Sequence, residues 1–358
     1  MFKIYLLKIK MNVNWIFTKH INHETVKNLL ELSSKNNQFT NGGPVVQLLE
    51  QNIRKILSIN DDKDVIAVTN GSVAIWVAVN SIEFYNNKKL RWATQSFTFP
   101  PSAQGMLQDI LIEDIDLDGG LELTDDLKDK VDGIIVTNVF GNTVNIDKYV
   151  NWCNTHNKYL IFDNAATSYS FYKGQNSLNY GNASTLSFHH TKPLGFGEGG
   201  AVIIDKQFSK YLRQLINFGI DNNAINPIWH PLGSNYKMSD ISAAYIIQHL
   251  NSFDEIYTKT IKVINYFKSK LSDKIKFYPN FSDDNPLLSC LCCILPSKDL
   301  IIEKSLKEHN VFCRKYYKPL LFTPNSTYIY NNILCIPCHC DMSTQDIDII
   351  VNIILSNI

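Results

Sequence analysis

The stretch that decides the fold is residues 184–205, S-T-L-S-F-H-H-T-K-P-L-G-F-G-E-G-G-A-V-I-I-D. Two short apolar runs flank a loop that carries Lys192 and four glycines. Upstream of this loop, I-F-D-N-A-A-T places Asp163 at the end of another apolar run. Ligands of open α/β sheets bind beyond the carboxyl ends of the strands. We therefore expect Asp163 and Lys192 to meet at one edge of a sheet.

Further short, apolar runs predict the remaining strands of that sheet. They are V-I-A-V (65–68), D-I-L-I-E (109–113), G-I-I-V-T (133–137) and Y-L-I-F-D (159–163), and helix-length segments separate most of them. Residues 24–36 and 44–57 have helical apolar spacing, and Pro44 is well placed to open the second helix. This pattern is typical of a mostly parallel sheet covered on both faces.

The order of predicted helices and strands changes after about residue 245. A long helical stretch at 239–271 precedes strands near 275–279 and 287–296, a helix near 298–309 and a terminal helix from about 343. The prediction is an α/β protein with a leader at residues 1–13, a large domain at 14–245 and a smaller C-terminal α+β domain at 246–358.

Composition excludes several classes of protein. The 358 residues contain 34 Lys+Arg and 34 Asp+Glu, so the basic excess of a nucleic-acid binder is missing. The N-terminus lacks a signal-peptide core, and no apolar run approaches the length of a membrane span. We expect a cytoplasmic protein without a membrane partner, in which the eight cysteines stay reduced.

The cysteines raise the question of a metal site. Cys335, Cys338, His339 and Cys340 have ligand-like spacing, and L-L-S-C-L-C-C-I-L (287–295) adds three more thiols. The latter stretch predicts a buried strand, where free cysteine behaves as a small apolar residue. Neither cluster has the paired C-x-x-C arrangement of structural zinc, so we expect no metal.

T-N-G-S (69–72) predicts a strand-to-helix turn that could hold a phosphate group. Gly71 lets the backbone approach closely, Ser72 adds a hydroxyl, and the helix start offers free N–H groups. The alternative is that Ser72 is only a helix N-cap.

Lys192 and Asp163 together suit pyridoxal phosphate, which needs an amine for its aldehyde and an acid for its ring nitrogen. A partly desolvated lysine has a lowered pKa and becomes nucleophilic. Gly195-x-Gly197-x-x-Gly200 matches the dinucleotide fingerprint, but a strand-like run follows where that motif requires a helix. A nicotinamide enzyme is therefore not expected.

The ordered series G-G-P, T-N-G-S-V-A, S-F-T-F-P, D-N-A-A, S-F-H-H-T-K-P-L-G, E-G-G-A-V and G-S-N-Y-K-M-S-D resembles the DegT/DnrJ/EryC1/StrS family over roughly residues 14–355. These are pyridoxal-phosphate aminotransferases of nucleotide-linked sugars. The D-N-A-A-T variant and the lysine segment look most like members that make 4-amino-4,6-dideoxyhexoses such as viosamine or perosamine.

The resemblance implies a fold-type-I homodimer with active sites at the subunit interface. Lys192 would form the Schiff base with the cofactor and Asp163 would pair with its ring nitrogen. The remaining site residues that the resemblance implies are Phe97 stacked on the ring, Gly71, Ser72 and Ser187 at the phosphate, Asn235 reaching the phosphate from the other subunit, and His189, His230, Tyr316 and Tyr317 at the sugar.

The resemblance also implies the reaction. An amino donor, L-glutamate, would pass its amine to a nucleotide-4-keto-6-deoxyhexose. The alternatives are a 3-aminotransferase, a sugar dehydratase and a non-catalytic binding protein on the same scaffold. Two departures from the family pattern concern substrate contacts: Ala166 stands where glutamine is frequent, and Lys237 stands where arginine is common.

Overall fold

The computed structural model describes residues 12–221, 229–279 and 286–358. Residues 1–11 of the predicted leader lie outside these ranges. Val13, which the prediction also assigned to the leader, is 4% exposed and belongs to the hydrophobic core of the C-terminal part. It also forms a parallel bridge with Val311. The leader therefore ends before Val13, because an apolar side chain anchors this segment in the core.

The described residues form twelve strands. In chain order they are β1 Lys63–Val68, β2 Trp92–Gln95, β3 Leu111–Glu113, β4 Gly133–Thr137, β5 Tyr159–Asp163, β6 Phe171–Tyr172, β7 Gln175–Asn176, β8 Ala183–Ser187, β9 Gly200–Asp205, β10 Lys276–Phe277, β11 Leu291–Ile294 and β12 Ile333–Ile336. Seven of them form one sheet in the order β1-β9-β8-β5-β4-β2-β3. Within it β9 alone runs against its neighbours, and the four other pairings are parallel. The predicted mostly parallel sheet is confirmed.

Eleven α-helices surround the strands in the described ranges. They are α1 His23–Lys35, α2 Pro44–Ile56, α3 Gly71–Asn86, α4 Leu127–Lys130, α5 Ile146–His156, α6 Lys206–Ile216, α7 Asp240–Leu250, α8 Phe253–Leu271, α9 Asp299–Glu308, α10 Pro324–Asn332 and α11 Thr344–Leu355. Pro44 opens α2, as predicted, because its fixed φ suits the first helical position. The first two helices begin within a residue of their predicted starts.

Helices cover both faces of the large sheet. Side chains alternate along a strand, so Val65 and Ala67 of β1 face a core built with α2 and α7, whereas Ile66 and Val68 face a core built with α3 and α6. We call the seven-stranded sheet with α1–α7 the large unit. Its two-sided burial explains why the strands are almost wholly apolar.

The small unit consists of the antiparallel sheet β10-β11-β12 with α9 and α11. The expected boundary at 245/246 is wrong, because it falls inside α7. Ala244 and Ile247, on either side of it, pack in the same core of the large unit. The following helix α8 begins on that core through Phe253 and ends in the small unit's core through Phe267.

Other elements of the C-terminal part also differ from prediction. The single helix expected at 239–271 is two helices, because Asn251 and Ser252 form a turn between α7 and α8. The elements α10 and β12 of this part were not predicted, and neither was β2 of the large sheet. Among the described residues, no helix combines the length and the apolar character needed to cross a bilayer.

Candidate active site

A cavity of about 550 Å³ lies at the carboxyl ends of β4, β5 and β8 and at the start of α3. Thr137, Asp163 and Ser187, the last residues of these strands, all line it. Its wall includes Trp15, Gly71, Ser72, Trp76, Phe99, Phe140, Ala166, His189, Lys192, Glu198, Cys290, Tyr316 and Tyr317. The convergence of strand ends that the sequence predicted is therefore observed.

Asp163 faces the cavity from a buried position and Lys192 from a partly buried one. Asp163 is 1% exposed and accepts hydrogen bonds from the Ala165 backbone N–H at 3.0 Å and the Thr185 hydroxyl at 3.1 Å. Burial raises the pKa of the Asp163 carboxyl, and these two donors and the charge of Lys192 partly oppose the rise. Burial likewise lowers the pKa of Lys192, against the attraction of Asp163. Both shifts favour the uncharged forms in the absence of a ligand.

The loop between β8 and β9 presents Lys192. The Lys192 N–H donates to the His189 carbonyl at 2.8 Å, and the Gly195 N–H donates to the Lys192 carbonyl at 3.0 Å. A Cβ on Gly195 would lie 2.0 Å from the His189 carbonyl oxygen. Only glycine therefore fits this turn. The strand β9 begins at Gly200, which confirms that the glycine pattern here is no dinucleotide fingerprint.

The start of α3 lies at the cavity, where the sequence predicts a phosphate site. Asn70 is the N-cap and its side chain accepts the Val73 N–H at 2.9 Å, so the predicted alternative, a capping role for Ser72, is wrong. The Ser72 side chain lines the cavity instead. A Cβ on Gly71 would lie 2.8 Å from the Ser187 Cβ. Glycine at this position thus lets α3 and β8 approach closely.

His189, Tyr316 and Tyr317 line the cavity, where the sequence prediction placed the sugar. The His189 Nε2 lies 3.6 Å from a Glu198 carboxylate oxygen, and its Nδ1 lies 2.8 Å from the Thr191 hydroxyl. The ring of Tyr317 stacks on Phe140 at a centroid distance of 5.1 Å and an angle of 6°.

The position of Phe97 requires a correction. Its ring is fully buried behind the cavity wall, where it packs edge-on against Phe140, Tyr278 and Tyr317. Phe99, two residues later, is 56% exposed and lines the cavity. The prediction of a stacking role fails for Phe97, because core packing leaves its ring no face for a ligand, and Phe99 takes its place as the candidate.

Two further predicted residues lie outside the cavity within this chain. His230 stacks on Phe84 at a centroid distance of 3.9 Å. Asn235 is exposed and forms a backbone bridge with Asn217. The role of Asn235 in the partner's site stays a prediction, and so does the sugar contact predicted for His230, which does not line this chain's cavity. Lys237, one of the two departures from the family pattern, donates to the Asn217 side chain at 2.9 Å.

Several residues of the cavity wall were not predicted from the sequence. Thr137 pairs with Asp163 across β4 and β5, so the strand-end rule alone could have identified it. Trp15, Phe140 and Cys290 come from distant segments, and their sequence neighbourhoods contain no signal.

Pairing of β11 with β12 brings three thiols of the two cysteine clusters together. Cys292 lies opposite Cys335, with their sulfurs 3.3 Å apart, and the Cys290 sulfur lies 3.6 Å from that of Cys292. All three are buried. The predicted buried strand is β11. The sequence did not reveal this cross-strand grouping, because sequence spacing does not specify strand register.

The residues present fit pyridoxal phosphate. A partly buried amine and a buried carboxylate face one cavity, as the aldehyde and ring nitrogen require. The helix start with Ser72, and Ser187 beside it, offers N–H and hydroxyl donors to a phosphate. The cavity also has aromatic walls for a flat ring.

Comparison with known proteins agrees with this geometry. A dTDP-4-amino-4,6-dideoxy-D-glucose transaminase from Shigella dysenteriae is 26% identical over 364 residues, which cover 91% of this chain and 93% of the relative. A GDP-perosamine synthase from Vibrio cholerae is 25% identical over 240 residues, which cover 64% of this chain and 63% of the relative.

Solved structures share the fold. The crystal structure of a DegT DnrJ EryC1 StrS aminotransferase from Brucella abortus matches with a TM-score of 0.80 and 20% identity, covering 93% of this chain and 95% of that chain. The family model described as the DegT/DnrJ/EryC1/StrS aminotransferase family matches residues 20–355, and this chain therefore belongs to that family.

Proposed function

We propose that the chain converts a nucleotide-linked 4-keto-6-deoxyhexose, UDP- or dTDP-4-keto-6-deoxyglucose, to the 4-amino-4,6-dideoxy sugar of the viosamine type, with L-glutamate as amino donor. The chain is a pyridoxal-phosphate-dependent sugar aminotransferase by family membership. The observation that carries the proposal is that the buried Asp163 and the partly buried Lys192 face one cavity large enough for a small-molecule ligand.

Pyridoxal phosphate, when bound, supplies an aldehyde that accepts an amine and a ring that takes up electrons from the substrate carbon. The residues of the chain do the rest. Lys192 is the nucleophile, and burial favours its reactive, uncharged form. With the cofactor bound, the free Lys192 Nζ would act as general base toward the donor carbon and as general acid toward the cofactor carbon that carries the aldehyde.

Asp163 would hold a proton on the ring nitrogen. Its carboxylate is costly to bury alone, and a cation in front of it offsets that cost. The hydrogen bonds from Ala165 and Thr185 fix its orientation. Ser72, Ser187 and the free N–H groups at the start of α3 would bind the phosphate.

The position of the amine is the finer part of the proposal. The printed activities of the Shigella and Vibrio relatives concern a 4-amino-4,6-dideoxyglucose and a perosamine. At about a quarter identity these names support the 4-amino sugar. His189, Glu198, Tyr316 and Tyr317 are the residues that we propose orient the hexose.

In the test, the enzyme, the cofactor and L-glutamate are incubated with a 4-keto or a 3-keto sugar, each as its UDP and its dTDP derivative. NMR then locates the new amine. Lys192→Ala is the control. Amination at C4 supports the proposal, and amination at C3 alone contradicts it. Ammonia release without glutamate turnover identifies the dehydratase. A wild type that stays colourless with added cofactor identifies a binding protein.

We also propose a homodimer with shared sites and a cytoplasmic location. The exposed Asn235 is then free to reach the partner's cavity. All eight cysteines are free, which suits a reducing compartment.

A further inference from the structure

The segment of residues 12–19 connects the small unit to the loop that carries Lys192. Val13 is held in the small unit's core, and the Thr18 N–H donates to the Asp341 carboxylate at 2.8 Å. Between them Phe17 is buried, with its ring stacked 5.9 Å from that of His249 on α7. Both ends of this segment are therefore anchored before it reaches Lys19.

Lys19 ends on three carbonyl oxygens of the Lys192 loop. Its ammonium donates to the His190 carbonyl at 2.7 Å, to the Lys192 carbonyl at 2.8 Å and to the Gly195 carbonyl. An ammonium has three N–H donors, so each carbonyl receives one. Three carbonyl dipoles that point at one spot repel one another unless a cation lies between them. Burial lowers the pKa of Lys19 to about 7, so the positive charge that this arrangement favours is complete only below neutral pH.

The same loop is supported from a second side. His249 on α7 has its Nε2 at 3.0 Å from the Pro193 carbonyl, adjacent to Lys192. The side chain of Lys192 faces the cavity, whereas its carbonyl faces Lys19. Lys19 does not line the cavity and contacts the loop on the side that faces away from it. Its contact with Lys192 is therefore made through the backbone carbonyl.

We propose that Lys19 is a positioning residue for Lys192: by binding the carbonyls of residues 190, 192 and 195, it fixes the loop that directs the Lys192 side chain at Asp163. The proposal deepens the proposed function and rests on it for its kinetic arm alone. The anchors at Val13 and Thr18 hold Lys19 in place, so the small unit contributes to the order of the active-site lysine.

The experiment compares wild type with Lys19→Met, which keeps an unbranched side chain one atom shorter and removes its charge and donors. Lys19→Arg restores a cation with several donors, and Lys27→Met, on the exposed face of α1, is the matched control. Hydrogen exchange of peptides spanning residues 187–196 is measured on cofactor-free protein. Trapping of the cofactor on Lys192 by borohydride, and kcat and KM for the donor, are measured on loaded enzyme.

For Lys19→Met we expect exchange in this peptide, which includes the Lys192 and Gly195 amides, to be about tenfold faster, with other core peptides unchanged. We expect slower attachment of cofactor and a kcat reduced by about tenfold, with the donor KM within a few fold. Lys19→Arg should recover part of both losses, and Lys27→Met should match wild type.

Unchanged exchange at residues 187–196 and normal cofactor attachment in Lys19→Met would overturn the proposal. Faster exchange throughout the protein would overturn it as well, because Lys19 would then serve only global stability. Exchange and trapping need no sugar substrate. If the proposed sugar reaction is wrong, both readouts can still be measured. That outcome can therefore be distinguished from a failure of this inference.

Discussion

Lys192 and Asp163 owe their chemistry to burial. In water a lysine is charged and a poor nucleophile, whereas in this cavity loss of hydration lowers its pKa. The same burial raises the pKa of Asp163, so the carboxylate is held at a cost until a cation faces it. The polar pair is thus unfavourable for the cofactor-free fold and favourable for the reaction.

Lys192→Ala should abolish covalent attachment of the cofactor and lower turnover by at least about 10³-fold, because the nucleophile and the proton carrier are both lost. Absorbance and mass spectrometry after borohydride reduction measure the attachment. Lys262→Ala, at an exposed position on α8, should keep both the spectrum and the label. A reducible label on the alanine variant would refute the assignment.

Asp163→Asn should keep the cofactor and lower kcat on the order of 10²-fold, since a neutral amide cannot stabilise a protonated ring nitrogen.

The same substitution should change stability, because folding raises the pKa of the Asp163 carboxyl. Above the ordinary pKa of an aspartate, the folded chain still holds a proton there that the unfolded chain has lost. The free energy of unfolding of the cofactor-free wild type therefore falls as pH rises from the ordinary pKa to the raised one. The variant should unfold at a higher urea concentration than wild type at neutral pH, and an equal or lower midpoint would contradict this account.

At the scale of single elements, the beginning of α3 shows how a cap and a ligand site are separated. Asn70 caps the helix, which leaves the hydroxyl of Ser72 for the cavity. Gly71 lets the helix start meet β8 at Ser187. The free N–H groups at this end favour an anion.

Gly71→Ala should weaken cofactor binding by about tenfold or more, because its Cβ would press on Ser187 and push the helix start away from the phosphate. Titration of cofactor-free protein, followed by absorbance, gives the dissociation constant. The control is Gly174→Asn, because a Cβ at Gly174 meets no neighbouring atom and asparagine tolerates the positive φ of this residue. Equal affinities for the two variants would argue against a phosphate at this helix start.

The helix α7 supports two other elements through polar side chains. The Asp240 carboxylate accepts the Val45 and Val46 N–H groups at 3.2 and 2.9 Å, and so caps α2 from a distant part of the chain. At the other end His249 meets the Lys192 loop. Burial lowers the pKa of His249 to about 4 from an ordinary 6.5.

This shift predicts acid sensitivity. Between pH 6.5 and 4 the unfolded chain binds a proton at His249 and the folded chain does not. The free energy of unfolding therefore falls as pH falls. The loss from this group is roughly 3 kcal/mol at most. His249→Gln should flatten the dependence by up to about 1.4 kcal/mol per pH unit in urea unfolding of cofactor-free protein. An unchanged slope would exclude His249 as its source.

At the scale of the whole molecule, the cavity is closed by both units. Strand ends of the sheet supply Asp163 and Ser187, whereas Cys290, Tyr316 and Tyr317 come from the C-terminal part. The N-terminal segment with Trp15 completes the wall. A second copy would add Asn235, which we predict reaches across the interface.

Mixed dimers test that sharing. If Asn235 serves the partner's phosphate, then Lys192→Ala and Asn235→Asp subunits are each impaired alone, yet a mixed dimer has one intact site. Random remixing should restore about one quarter of wild-type activity, because half of the dimers are mixed and one of their two sites is intact. Activity that stays at the sum of the parents, with mixing verified by native mass spectrometry, would refute a shared site.

Much of this arrangement could be predicted from the sequence, and the failures have physical causes. Apolar runs between helix-length segments predicted the strands of the large sheet other than β2 to within a few residues, because two-sided burial requires apolar strands. The short strand β2, W-A-T-Q, has two polar residues among its four, so the pattern did not reveal it. Phe97 and Phe99 are alike in sequence, and only packing distinguishes the buried ring from the one at the cavity.

By itself the sequence determined most strands of the large sheet, the glycine-rich loop and the approach of Lys192 to Asp163, because apolar periodicity, turn residues and strand ends are local properties. The tertiary structure alone decided what surrounds that pair. Lys19, Asp240 and Tyr317 act on segments far away in the chain, and such contacts depend on how the units pack. Local sequence does not encode that packing, since it fixes neither the register nor the distance between elements that meet only after folding.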